Sequence, residues 1–222
     1  MKIAVLGTGM VGNAIATKLI ECGHQVMMGS RHANNEKASV WVSKNGSNAS
    51  QGSFHDAAHF GEIIFNCTNG AGTMEALKHA GEKNLSGKIL IDVSNPLDFS
   101  KGMPPSLLVC NTDSLAEQIQ RTFPSTKVVK TLNTVNCNVM VNPSLVPGDH
   151  DMMLAGNDSG AKEKVKEILT QWFGWKNVID LGDITGARVM EMWVLLWVRL
   201  MGVMGHPNFN LHIEQTTSVR PM

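Results

Sequence analysis

The chain has 222 residues, with 19 Lys and Arg against 19 Asp and Glu, so its formal net charge is zero. That balance argues against general attraction to nucleic acid or to an anionic membrane. The four cysteines, Cys22, Cys67, Cys110 and Cys137, form no C-x-x-C pair, which fits reduced thiols in a cytoplasmic protein better than a disulfide framework.

The first apolar run, Ile3 to Leu6, breaks at once into Gly7-Thr8-Gly9. It reads as a buried parallel strand rather than a signal peptide. In "MVGNAIATKLIECG", apolar residues recur at three- and four-residue spacing up to a stop at Gly23, which predicts a helix. "HQVMMG" is the second strand, "NNEKASVWVSKNG" a helix ending at Asn45-Gly46, "SNASQGSF" a short third strand and "HDAAHFG" a short helix. "EIIFNCT" is a strand, "GTMEALKHAGEKN" a helix and "GKILIDVSNP" a strand. A Pro-rich loop follows. "SLAEQIQRTFP" then opens on a capping-box pattern, Ser114 to Glu117, and stops before a proline. "KVVKTLN" is the sixth strand. Beyond a connector, "NPSLVPGD", come a strand ("HDMMLAG"), a helix ("DSGAKEKVKEILTQWFG"), a strand ("KNVIDLG") and a long helix from about Ile184 to Val203. Arg199 interrupts that last apolar stretch, which is too short to span a membrane.

This alternation predicts an α/β fold of Rossmann type: a doubly wound, mainly parallel sheet with a small C-terminal α/β lobe. We expect a dinucleotide-binding domain over residues 1–141 and the lobe over 150–222, its strands extending the same sheet.

Gly7-Thr8-Gly9-Met10-Val11-Gly12 fits G-x-G-x-x-G. It follows a strand, opens a helix and sits in a βαβ unit, which is the context the motif requires. Gly7 would make the tight turn, Gly9 would let backbone approach a pyrophosphate, and Gly12 would allow close packing. An acidic residue usually ends the second strand and binds the ribose of NAD. Here Ser30 and Arg31 stand there. Arg offers a forked, charge-assisted contact and Ser a hydroxyl, which favours the 2′-phosphate of NADP. Thr8 is placed to help.

The chain has no tyrosine, so a Tyr-x-x-x-Lys catalytic pair is impossible. The histidines sit away from the expected carboxyl ends of the strands or cannot be placed. Lys130 and Asn133 fall at the end of the sixth strand, within reach of a ligand. The loops "NCTNGAG", "DVSNP" and "LNTVN" offer amides, hydroxyls and bare backbone with little acid–base equipment. Such groups suit holding flat rings for hydride transfer between two cofactors, where alignment matters most.

Four stretches, "VLGTGMVG", "GSR", "VVKTLNTVN" and "VIDLGDITGARVMEMWVLLWVRLM", occur in order over nearly the whole chain. Through them the sequence resembles the NADP oxidoreductases dependent on coenzyme F420, a deazaflavin, and the cytosolic reductase domain of the STEAP ferric reductases. The resemblance implies that Thr8, Ser30 and Arg31 surround the 2′-phosphate. It also implies that the loops around Thr68-Asn69 and Asn133-Thr134-Val135 face the nicotinamide and its acceptor, F420 or a flavin. Cys67 and Ser94-Asn95-Pro96 are expected to bind cofactor because their loops follow strands and rim the crevice. Two departures stand out. Deazaflavin-using members tend to carry His where this chain has Asn133, and a Pro-containing loop in place of "NCTNGAG". No metal site is expected. The partners implied are a small redox acceptor and a second copy of the chain, docked partly through the C-terminal helix. The row Met190, Trp193, Trp197 and Met201 could serve that interface or the internal core. Two rival functions are a non-enzymatic NADPH-binding module and a reductase of a small imine or keto acid. The latter needs a lysine on the long helix, and Ile184 to Val203 contains none.

Overall fold

The computed structural model describes residues 1–214. β1 (Lys2–Leu6), α1 (Met10–Glu21), β2 (Gln25–Ser30), α2 (Glu36–Asn45), β3 (Ala49–Ser53), α3 (Phe54–Phe60), β4 (Ile63–Asn66), α4 (Gly70–Ala80), α5 (Glu82–Leu85) and β5 (Ile89–Asp92) alternate as expected. A two-strand hairpin follows, β6 (Leu97–Asp98) with β7 (Ser106–Leu107), and then α6 (Leu115–Thr122), β8 (Lys127–Thr131) and α7 (Cys137–Val141). The chain continues through β9 (Asp151–Gly156), α8 (Ser159–Glu167), β10 (Asn177–Asp180) and α9 (Ala187–Met204).

Eight strands form one sheet in the order β10-β9-β8-β5-β4-β1-β2-β3. Every pairing is parallel except β8 with β9. This is the doubly wound, mainly parallel sheet read from the sequence, and β9 and β10 extend it.

Alternation along each strand divides the core between the two faces. Ile3 and Val5 of β1, Phe65 of β4 and Val129 of β8 pack in one cluster with α1, α2, α7 and α8. Ala4 and Leu6, Ile64 and Val128 pack in the other with α3, α4, α6 and the start of α9.

Local signals set most of the boundaries. Asn35, Ser53, Asn69, Ser114, Asn136 and Asp158 each cap the helix that follows by accepting a backbone N–H. The β6–β7 hairpin and α7 are not expected from the sequence, and two boundaries also differ from it. The helix expected over "GTMEALKHAGEKN" is broken at Gly81, whose φ of 88° ends α4, and Asn84 bonds back to the carbonyl of Ala80. The capping box at Ser114 is half formed. Its hydroxyl accepts from Glu117 N, but the Glu117 carboxylate turns to Arg188 of α9 at 2.6 and 2.9 Å.

Candidate functional site

The turn after β1 is built on backbone contact. Gly7 has a φ of 116°, and a Cβ there would lie 2.6 Å from the carbonyl oxygen of Cys67. A Cβ on Gly12 would lie 2.1 Å from the oxygen of Gly7. Gly9 is different: a Cβ there meets nothing within 4 Å, so the open space belongs to whatever approaches the turn. Six helices take a side-chain cap, but α1 has none. Its first amides face that space with the positive end of the helix dipole, which is the arrangement that binds a phosphate.

Two cavities leave the turn. The first, about 400 Å³, is lined by Gly7, Thr8 and Gly9, by Ser30, Arg31 and His32 after β2, and by Cys67 to Asn69, Glu75 and His79. Arg31 is exposed, and its guanidinium lies beside the bare Gly72, where a Cβ would be 3.9 Å from Nη2. Ser30 is buried, and its hydroxyl donates to the carbonyl of His32 at 2.6 Å. The hydroxyl therefore shapes the loop, and it must rotate to serve a ligand.

The second cavity, about 360 Å³, lies over the carboxyl ends of β4, β5 and β8. Met10, Val11, Cys67, Thr68, Asn69, Ser94, Asn95, Asn133 and Val135 line it, so most of the expected ring-binding residues come together. Gly12, Pro96 and Thr134 stand behind the walls: Pro96 O accepts from Leu108 N at 2.8 Å, and Thr134 O accepts from the Trp193 indole at 3.2 Å. A larger trough of about 1270 Å³ starts at the same turn, at Thr8, Gly9 and Met10, and runs along the outer face of α1 past Asn13, Thr17 and Glu21 to Asn136 and Cys137. The expected residues Ser30, Arg31, Thr68, Asn95 and Asn133 line the two smaller cavities and not the trough.

Amides hold the second cavity in shape. Asn95 Nδ2 donates to Asn133 O, and Asn133 Nδ2 donates back to Asn95 Oδ1, both at 2.9 Å. Asn133 Nδ2 also donates to Met190 O of α9 at 2.9 Å. These acceptors fix which end of the Asn133 amide is nitrogen, and its Oδ1 is buried with no partner among the described residues. Leu132, just before it, has a φ of 64°. That conformation costs a non-glycine residue about 1–3 kcal/mol. Complete burial of the leucine side chain contributes about 1.5–3 kcal/mol in return, so the core holds the strained turn that presents Asn133. Asn69 caps α4, and Thr68 Oγ1 bonds to Asn66 Oδ1 at 2.7 Å.

Lys130 corrects an expectation. It is completely buried and cannot meet a ligand: its ammonium bonds to Asp92 at 2.8 Å and Glu191 at 2.9 Å. The sequence reading also missed Gly70, whose Cβ would sit 2.0 Å from the carbonyl of Asn95, and the apolar wall of Phe99, Met140, Val194, Trp197 and Val198. Gly70 carries a readable signal, a small residue at a helix start beside a predicted crevice. The wall carries none, because it comes from a hairpin and two distant helices.

Among the described residues, no charged side chain lines the second cavity. Its titratable groups are Cys67 and Cys137, and burial raises the pKa of both thiols; for Cys67 the charge on Asp92 adds to the effect. Both remain neutral thiols.

A doubly wound sheet with a phosphate-binding turn and a ring-sized cavity at its switch point defines a dinucleotide-dependent oxidoreductase fold. The family described as "NADP oxidoreductase coenzyme F420-dependent" matches residues 2–96. The F420-dependent NADP reductase of Methanocaldococcus jannaschii is 30% identical over 86% of this chain and 88% of its own. The rat metalloreductase STEAP3 is 28% identical over 86% of this chain, which spans 36% of that protein. A crystal structure assigned as an F420-dependent NADP-reductase, from Arthrobacter sp. FB24, superposes with a TM-score of 0.92 and 48% identity, over 97% of this chain and 100% of that one. An imine reductase from Streptomyces aurantiacus shares the fold alone, with a TM-score of 0.67 at 17% identity over 92% of this chain and 63% of that one. The chain belongs to the family of F420-dependent NADP reductases.

The glycine contacts separate two effects by mutation. Gly9→Ala should leave the thermal midpoint unchanged while weakening dinucleotide binding, because its methyl group enters ligand space. Gly12→Ala should lower the midpoint itself, because its methyl group collides with backbone. Thermal melts and calorimetric titration of both variants check this; equal melting losses would remove the distinction.

Proposed function

We propose that this chain transfers hydride between NADPH and the deazaflavin coenzyme F420. The observation that carries the reading is the absence of charged side chains from the lining of the ring cavity. A carbonyl or imine substrate usually needs a positioned proton donor such as His, Lys, Tyr or a carboxyl group, and among the described residues none of these lines that cavity. Two flat rings need alignment instead.

The residues fit the parts of the dinucleotide. Gly7 to Gly12 would hold the pyrophosphate, with Gly9 leaving room for it and the free amides of α1 giving it hydrogen bonds. Arg31, with Thr8 and a rotated Ser30, would pair with the 2′-phosphate. Asn133 Oδ1 is an acceptor in want of a donor, and the nicotinamide carboxamide or a ring N–H supplies one. Cys67 to Asn69, Ser94 to Pro96 and Thr134-Val135 would shape the ring site, and Phe99 and Trp197 would give it an apolar wall. When bound, NADPH supplies the hydride and the deazaflavin accepts it, with one proton drawn from water. In this reading residues 1–141 carry the nucleotide, and the lobe over 150–222 closes the ring cavity through α9. Residues 215–222 lie outside the described structure. Four free thiols fit the reducing conditions of the cytoplasm. No described helix is long and apolar enough to cross a membrane.

The test is NADPH oxidation against F420, FMN, FAD and a cyclic imine. F420 should be the preferred acceptor; turnover with the imine alone would overturn the reading. Single His→Gln changes should leave single-turnover transfer from deuterated NADPH nearly intact, whereas loss of an essential acid or base costs about 10²–10⁴-fold.

Cofactor choice has its own test. Arg31→Ala should weaken NADPH by ~1.5–3 kcal/mol and NADH far less, as titration of both nucleotides would reveal. Equal losses would remove Arg31 from the 2′-phosphate.

The same reading includes a homodimer. Of the row Met190, Trp193, Trp197 and Met201, Met190 is buried, the Trp193 indole bonds to Thr134 O and Trp197 stacks on Phe209 at 5.5 Å. The other face of α9 exposes Val189, Leu196 and Val203 at 56%, 47% and 77%. An apolar stripe of this kind fits a second copy of the chain. Leu196→Glu should give a monomer by sedimentation velocity. A wild-type chain that sediments as a monomer would end this part of the proposal.

A further inference from the structure

Asn66, Asp92 and Lys130 lie side by side across β4, β5 and β8, paired in register at the carboxyl end of the sheet. All three are completely buried, and they fall on the face where Ile64, Leu90 and Val128 are apolar. Glu191 of α9, 1% exposed, closes the cluster. The Lys130 ammonium has three protons and three acceptors: Asp92 Oδ2, Glu191 Oε1 and the carbonyl of Ser94. Asp92 Oδ1 takes the Ser94 hydroxyl at 2.8 Å and the Asn66 amide at 2.7 Å. Glu191 also accepts from the amides of Leu115 and Ala116 at the start of α6, at 2.8 and 3.1 Å. The attraction of Asp92 and Glu191 outweighs desolvation and holds the pKa of Lys130 above the usual lysine range, so it stays charged.

Stability alone does not account for such a cluster. Removing several ions from water costs several kcal/mol each, and apolar replacement of a buried ion pair is often neutral or stabilising. What the cluster reaches is the floor of the ring cavity. Ser94, held at its backbone N–H, hydroxyl and carbonyl, is followed by Asn95, which exchanges hydrogen bonds with Asn133. Asn133 and Lys130 land on consecutive residues of α9, Met190 O and the Glu191 carboxylate. A charged brace and an amide brace thus tie the β5 loop, the β8 loop and α9 together.

We propose that Lys130 is a positioning residue for hydride transfer: its three-way contact sets Ser94 and Asn95 against Asn133 and so fixes the height and tilt of the nicotinamide. The activity arm of the test rests on the function proposed above; the binding and spectroscopic arms do not.

Lys130→Met alone leaves two buried carboxylates unpaired and is expected to destabilise the fold. The decisive variant is therefore the neutral triple, Lys130→Met with Asp92→Asn and Glu191→Gln. It should fold with a thermal midpoint near that of the wild type. It should bind NADPH almost unchanged, since the phosphate contacts are remote. Its KM for the acceptor should change little, while single-turnover hydride transfer falls by about a hundredfold, the cost of a small misplacement. The C4 proton resonances of bound NADPH should shift and broaden relative to the wild-type complex. A triple variant with wild-type C4 resonances, or one that cannot fold, would make the cluster a stability element and overturn the proposal. If the wild type transfers no hydride to F420, the function reading fails, and the C4 resonances still decide whether Lys130 positions the ring.

Discussion

Everything in this site is referred to one contact, the backbone of Gly12 lying against the carbonyl of Gly7. A Cβ placed there would be 2.1 Å from oxygen, a distance that no relaxation of a flexible side chain can relieve. The contact brings the start of α1 down onto the end of β1. The first amides of the helix, which no side chain caps, then open toward the space beside Gly9. Because Gly7 is packed in turn against the Cys67 carbonyl, the same turn also fixes the end of β4. Both cavities border this turn or the end of β4, so their walls are placed by a single piece of backbone.

The parts of the fold that were legible in the sequence are those decided locally. Glycine spacing, strand length, alternation and the cap at Ser114 act over a few residues, and the chain follows them. The site was legible to the same depth. Ser30 and Arg31 stand where an acidic residue would, and the amide-rich loops do gather at the strand ends. What was hidden depends on partners far away in sequence. Lys130 looks like a reachable lysine until β5 and α9 enclose it with Asp92 and Glu191. Leu132 gives no sign of a left-handed backbone, which a non-glycine residue adopts only when surrounding packing enforces it. The hairpin at Leu97–Leu107 was hidden because two-residue strands fall below any periodic signal.

The chemistry of the ring cavity follows from a division of labour between its surface and its support. Amides, small residues and an apolar wall line the cavity, while the charges stay one layer below, where Lys130, Asp92 and Glu191 satisfy one another. A charge at the surface would carry water with it and would compete with stacking. A charge one layer down stiffens the loops without touching the ligands, because hydrogen bonds between ionised groups are short and strong where solvent is excluded.

Helix α9 links these levels. Its buried side supplies the Met190 carbonyl, the Glu191 carboxylate and the Trp197 wall, while Arg188 reaches Glu117 on α6. Its opposite side carries exposed Val189, Leu196 and Val203. A helix so placed cannot move without shifting Asn133 and the floor of the cavity together. Anything that docks on the outer face of α9 therefore bears on the shape of the cavity, because the same helix carries the Met190 carbonyl and the Glu191 carboxylate that hold its floor.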